Sequence, residues 1–387
     1  MTQDAIDLFS PMSLGDLELP NRILMAPMTR ARSSEARVPS ATMAEYYAQR
    51  ASAGLIISEA TIVDAMAAGY SWTPGLYNDE QIEGWRLVTD AVHQAGGRIF
   101  AQLWHVGPMA HSSLLEGKSP VAASAINAGS QVMTTEGMKP SDTPRALETD
   151  EIPEIVAQFG RAAENALKAG FDGVELHGAN AYLLENFCCD ATNKRTDKYG
   201  GSIENRLRFV LEVVEACANA VGPDKLGLRI SPRSHFTGKP DSDPIALYGA
   251  LAEKLNAFPL AYLHIIEPAP GRAMGMTPGN PNDPPKTLAG GPQSENPGEA
   301  SILLKEIRNA YHGRVILNNF YDKDSANAML AAGHADMVAF GAIFLANPDL
   351  PERFRTDSPL NAPNMETFYG GDERGYTDYP TLEQSNT

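Results

Sequence analysis

Eight short apolar runs, each followed by a stretch of helical periodicity, set the strongest constraint on how this chain folds. The runs are Arg22 to Pro27, Leu55 to Glu59, Arg98 to Trp104, Gly173 to His177, Leu226 to Ser231, Leu260 to Ile266, Arg314 to Asn318 and Met337 to Phe340. Helical patterns follow at Thr42 to Ala53, Glu80 to Gln94, Ile152 to Ala169, Ile203 to Val221, Ile245 to Asn256, Glu299 to Tyr311 and Lys323 to Ala332. A closing helix starts near Asp349. Strands that are apolar on both faces, joined through helices, belong to parallel sheets covered on both sides. A doubly wound sheet would carry a Gly-x-Gly-x-x-Gly turn after its first strand. None is present, and the pattern predicts a (β/α)8 barrel spanning residues 1–387 as one domain. Met12 to Leu19, centred on Gly15-Asp16, reads as an N-terminal β-hairpin across the barrel floor. Two Pro/Gly-rich segments, roughly Val106 to Asp150 and Glu267 to Gly298, follow the third and sixth strands. Both are strand-to-helix connections and so overhang the mouth.

In such a barrel the C-terminal strand ends face the site. Those ends carry Ala26-Pro27-Met28-Thr29, Ser58-Glu59-Ala60, then Gln102, Trp104 and His105, then His177, Asn180 and Tyr182, then Arg229 and His264. His177 and Asn180, three residues apart, are two neutral donors suited to one carbonyl oxygen. Tyr182, two positions on, is a phenol able to supply a proton. That trio suits addition of hydride and proton across a C=C bond beside a carbonyl. The plainer alternative is that His177 and Asn180 only cap the following helix. Glu59 and Glu175 lie on strands, facing outward or paired with a base. No carboxylate pair suggests glycosidase chemistry, and no Gly-x-Ser-x-Gly elbow is present. The histidines lack ligand spacing, so no metal is expected.

A net charge of −17 disfavours nucleic acid and anionic membrane as partners. Only Cys188, Cys189 and Cys217 occur, without a Cys-x-x-Cys pair. With no signal-like N-terminus and no membrane-length apolar run, a cytoplasmic protein is expected.

Taken together, longer motifs resemble the Old Yellow Enzyme family of flavin-dependent ene reductases. They are Pro20-Asn21-Arg22, Met25-Ala26-Pro27-Met28-Thr29-Arg30, Ser52-Ala53-Gly54-Leu55-Ile56-Ile57-Ser58-Glu59-Ala60, Gln102-Leu103-Trp104-His105 and His177-x-x-Asn180-x-Tyr182. Asn193-x-Arg195-x-Asp197-x-Tyr199-Gly200-Gly201-Ser202, Ala346-Asn347-Pro348-Asp349-Leu350, Phe368-Tyr369-Gly370-Gly371 and Gly375-Tyr376-Thr377-Asp378-Tyr379-Pro380 extend the likeness over nearly the whole chain. The resemblance implies FMN at the barrel mouth and NADPH or NADH as reductant. Pro27, Met28, Thr29 and Ala60 would line the isoalloxazine, with Thr29 at its O4 edge. Gln102 and Arg229 would hold the pyrimidine edge. His177 and Asn180 would bind the substrate carbonyl, Tyr182 would protonate the α-carbon, and Tyr70, Trp104 and Tyr369 would line the substrate pocket. The substrate would be a small molecule with an activated alkene, and the enzyme a monomer or homo-oligomer.

The chain departs from the family where the FMN phosphate would sit, after strands seven and eight. Asn318-Asn319-Phe320 stands where a Gly-rich turn is usual, and Gly341-Ala342 where Gly-Arg is usual. By resemblance Asn318, Asn319, Gly341 and Ala342 would still meet the cofactor. Pro108 also replaces a usual Arg. These changes keep a second reading open, a flavin-independent relative that isomerises, cyclises or adds to an enone by proton transfer.

Overall fold

The computed structural model describes residues 6–232, 241–267 and 301–385. Eight parallel strands close on themselves: β1 (Ile23–Met25), β2 (Leu55–Ile57), β3 (Ile99–Trp104), β4 (Gly173–Gly178), β5 (Leu226–Ile230), β6 (Tyr262–Ile266), β7 (Val315–Asn318) and β8 (Met337–Phe340). Each pairs with the next, and β8 pairs with β1 to close the ring. Almost every strand residue is buried on both faces, which explains why the runs are apolar throughout.

The surrounding helices are α1 (Ala41–Ala48), α2 (Asp79–Gln94), α3 (Ile152–Lys168), α4 (Ile203–Val221), α5 (Pro244–Leu255), α6 (Ile302–Ala310), α7 (Lys323–Ala331) and α8 (Leu350–Arg355). Several start where a side chain satisfies an orphan N–H. Ser40, Asn78, Ser202, Asp243, Ser301 and Asp322 all accept one from the first turn. The first helix ends at Ala48, short of Ala53, because the backbone turns through residues 49–53.

The hairpin pairs Met12–Leu14 with Leu17–Leu19. Its Leu14 and Leu19 join Leu24, Leu55, Phe100 and Ile316 in an apolar plug at the barrel floor. The opposite mouth therefore carries the polar strand ends. The segment after β3 is not featureless: Gln131–Thr134 pairs with Gly137–Pro140 as a second hairpin, and Val121–Ala122 pairs with Arg145–Ala146. Apart from Glu267, the insertion expected after β6 lies outside the described residues.

Candidate active site at the barrel mouth

Register places the polar residues in layers. Glu175 of β4 lies opposite Gln102 of β3, while His177 lies opposite Arg229 of β5, and Arg229 opposite His264 of β6. Period-two alternation then points Glu175 and His177 to the same, inner face. Glu175 is therefore not outward-facing. Its carboxylate accepts from Gln102 Nε2 at 2.7 Å and meets His264 Nδ1 at 2.8 Å, all fully buried. Arg229 adds the cation. Its Nη2 donates to Asn318 Oδ1 at 2.7 Å, and Asn318 in turn donates to the Ala339 carbonyl at 2.7 Å. Arg229 Nε is buried with no partner among the described residues. Burial lowers the Arg229 pKa while Glu175 raises it; an arginine keeps its proton in such a setting.

Above this layer β4 ends in a tight turn. Asn180 and Ala181 are both left-handed, with φ of 57° and 59°. The turn swings Tyr182 back over the mouth, where its ring meets those of Trp104 and His177 edge-on at 4.9 Å each. Tyr70 stacks on Trp104 at 5.6 Å, and its hydroxyl lies 3.5 Å from that of Tyr182. His177 Nδ1 and Asn180 Oδ1 are buried with no hydrogen-bond partner among the described residues. Caps would be engaged; these two are not, so helix capping does not explain them. Burial, with the Arg229 and His264 charges, holds the His177 pKa well below that of a free imidazole, so the ring is neutral. Burial drives the Tyr182 phenol well above 10, and the neighbouring Tyr70 adds to the shift, so the phenol keeps its proton.

The other expected residues distribute around this centre. Pro27 and Ala60 are buried at the ends of β1 and β2, and Met28 and Thr29 are half-buried. A Cβ on Gly341 would touch only the Met28 sulfur, at 3.7 Å, so these two face one another. Tyr369 is 41 % exposed and contributes to the field at Tyr182, while Tyr70 contributes to the field at Tyr369. Its strap is tied down by Arg30, which donates to the Phe368 carbonyl at 2.8 Å and the Gly375 carbonyl at 2.7 Å. After β7 the backbone turns through Asn319 (φ 116°) and Phe320 (φ 55°). The Asn319 amide donates to the Glu267 carbonyl, and the Tyr321 phenol donates to the Glu267 carboxylate at 2.7 Å. Ala342 opens a five-residue helix and brings no charge. Two residues that sequence reasoning passed over also touch the site, Glu185 in the short helix Leu183–Cys188 and Ser231 after β5. Glu185 falls in an apolar run and reads as an ordinary helix position.

A parallel barrel with a buried cation, neutral donors and an aromatic cage at its mouth defines a class, a TIM-barrel oxidoreductase handling a flat cofactor and a carbonyl compound. The NADH:flavin oxidoreductase / NADH oxidase family model matches residues 7–361. The chain is 43% identical to 12-oxophytodienoate reductase 1 of Oryza sativa subsp. japonica over 384 residues, covering 98% of this chain and 94% of that protein. Among solved structures, morphinone reductase superposes with a TM-score of 0.89 at 45% identity, covering 100% of this chain and 99% of that one. The old yellow enzyme homologue from Zymomonas mobilis gives 0.88 at 43%, covering 97% and 100%. The chain belongs to this family, the Old Yellow Enzyme group. It is an FMN-dependent oxidoreductase that draws on NAD(P)H to reduce an activated C=C bond, and the flavin-independent alternative is set aside.

The mouth fits the ring of FMN. Arg229 presents an unpartnered buried Nε, and Ala60 and Gly341 keep the rim small. Where the resemblance would seat the phosphate, Asn318, Asn319, Phe320 and Ala342 carry no charge, and the Asn318 and Asn319 side chains are already committed to other partners.

Proposed function

We propose that this barrel reduces the C=C bond of a small α,β-unsaturated carbonyl compound, with His177 and Asn180 gripping the oxygen and Tyr182 delivering the proton. The observation that carries the reading is the edge-on convergence of Tyr182 on His177 at 4.9 Å, with the buried His177 Nδ1 left without a partner among the described residues. When bound, FMN supplies the hydride taken up by the β-carbon. Donors held on the carbonyl oxygen draw electron density from the alkene and stabilise the enolate charge as it develops. A neutral imidazole still carries one N–H to donate to the carbonyl oxygen. Tyr182, kept protonated by burial, gives its proton to the α-carbon. Tyr70, Trp104 and Tyr369 shape the pocket around the alkene. Gln102, held by Glu175, and Arg229, held by Asn318, present fixed polar groups toward the pyrimidine edge of the cofactor. Pro27, Met28, Thr29 and Ala60 line its ring, and Asn318, Asn319, Gly341 and Ala342 bound its phosphate end.

We further read residues 1–387 as one barrel domain working in the cytoplasm, on composition: three cysteines, none in a disulfide, and a net charge of −17. Among the described residues no helix is long and apolar enough to cross a membrane.

The test is Tyr182→Phe, followed by stopped-flow. Alkene reduction should slow by about 10²-fold or more, while flavin reduction by NAD(P)H and binding of a saturated ketone stay within a few-fold. Unchanged alkene reduction would place the proton donor elsewhere.

A further inference from the structure

Two consecutive non-glycine residues in the left-handed region, Asn180 and Ala181, form the turn that presents the proposed carbonyl grip and proton donor. Non-glycine residues persist there only when their surroundings hold them. Both backbone N–H groups of the turn lead to one carboxylate. The Asn180 N–H donates to Ser231 Oγ at 2.7 Å, and the Ser231 hydroxyl donates onward to Glu185 Oε1 at 2.7 Å. The Ala181 N–H donates directly to Glu185 Oε2. The Tyr248 hydroxyl, from α5, donates to Glu185 Oε1 at 2.9 Å and completes the set. Glu185 and Ser231 are buried, at 4% and 2% exposure. A carboxyl with three protein donors and no salt-bridge partner among the described residues, its pKa pushed by burial up to about 7, is an expensive group to bury. An apolar residue would serve a helix interior better, so packing does not account for it.

We propose that Glu185, acting directly and through Ser231, is a positioning residue that locks the Asn180–Ala181 turn and thereby aims the Asn180 amide at the substrate carbonyl. The relay needs an acceptor at both oxygens. Ser231 spends its one proton on Glu185, which leaves its lone pair for the Asn180 N–H. Glutamine at 185 keeps the shape but sets an NH2 group against one of the donors. Alanine at 231 removes the link to Asn180 alone. The proposal rests on the reading of Asn180 as part of the carbonyl grip, and the experiment separates the two.

The measurement is a double-mutant cycle on the alkene half-reaction of the FMN-loaded enzyme, using Asn180→Ala, Glu185→Gln and Ser231→Ala. Ser231→Ala removes one hydroxyl and is the variant least apt to disturb folding. Each of Glu185→Gln and Ser231→Ala should raise the KM for cyclohexenone by about tenfold, with a smaller change in kcat, while the rate of flavin reduction by NAD(P)H stays within twofold. Ser231→Thr, which keeps the hydroxyl, should recover most of the loss. In the Asn180→Ala background the Ser231→Ala and Glu185→Gln losses should vanish. If they persist there in full, the carboxylate acts on packing rather than through Asn180, and the proposal fails. If Asn180→Ala by itself leaves the alkene half-reaction unchanged, it is the carbonyl-grip reading that fails.

Discussion

Arg229 brings a buried positive charge to the barrel mouth. It is a buried guanidinium with one nitrogen spent on Asn318, another unpartnered, and Glu175 close enough to oppose its loss of charge. A fixed cation beside the flavin ring stabilises the reduced, anionic form more than the neutral oxidised one. A charge-assisted interaction of that kind is worth about 1.5–3 kcal/mol. For a two-electron couple this corresponds to about 30–60 mV. Arg229→Met should therefore make the bound flavin's midpoint potential more negative by about that amount, read by spectroelectrochemistry against a dye. Arg229→Lys, which keeps the charge without the planar fork, should shift it less. An unchanged potential in the methionine variant would mean that the guanidinium serves the polar layer under the ring and not the ring itself.

At the scale of the elements, the barrel was readable because its strands are buried on both faces and six of its eight described outer helices begin at Ser, Asn or Asp caps. The range Ile203 to Val221 is met to the residue, since Ser202 caps one end and Gly222, at φ 90°, stops the other. The hairpin at Gln131–Pro140 was not readable, because its four-residue strands are half exposed and carry no clear alternation. In the site, His177 and Tyr182 were legible as a spacing, but their edge-on contact depends on the double left-handed turn. No residue type in Asn180-Ala181 announces that turn. The Glu185 hub was hidden for the same reason, as its partners lie 46 and 63 residues away. The βα loops of β7 and β8 were legible as a departure from the family, and the fold gives the departure physical content. Asn319 and Tyr321 turn toward Glu267, and Ala342 contributes no charge. A lost charge-assisted pair to phosphate costs about 1.5–3 kcal/mol, or about one to two decades in affinity. Riboflavin and FMN should then bind the apoprotein within about tenfold of one another, by fluorescence quenching. Ala342→Arg should tighten FMN by about tenfold or more and leave riboflavin alone. A native preference for FMN above about a hundredfold would show that a cation reaches the phosphate from another part of the chain.

Across the whole molecule one carboxyl ties the barrel mouth to the C-terminal strap. Glu59 Oε2, at the end of β2, accepts the backbone N–H groups of Arg30 at 3.2 Å and Ala31 at 3.1 Å, and the Glu59 N–H donates to Tyr47 of α1. Arg30 reaches the carbonyls of Thr367, Phe368 and Gly375, while Tyr46 of α1 stacks on Tyr376 at 4.1 Å. The strap that brings Tyr369 to the pocket is thus held by residues following β1, which are themselves held by Glu59. Burial pushes the Glu59 carboxyl from 4.5 up to about 7, against the pull of its backbone donors and of Arg30. A carboxyl whose folded pKa lies above its unfolded one binds more protons in the native state over that interval. Its contribution to stability is therefore greatest below the unfolded pKa and declines as pH climbs to the folded one. Between pH 5 and pH 8 wild type should lose about 2–3 kcal/mol relative to Glu59→Gln, which has no such ionisation. Urea unfolding of both proteins at the two pH values measures the difference and cancels every other titrating group. A constant gap between them would mean that Glu59 is ionised throughout, with Arg30 acting as its full counter-charge. In that case the strap would hang on a buried ion pair, and Glu59→Gln would loosen it equally at both pH values.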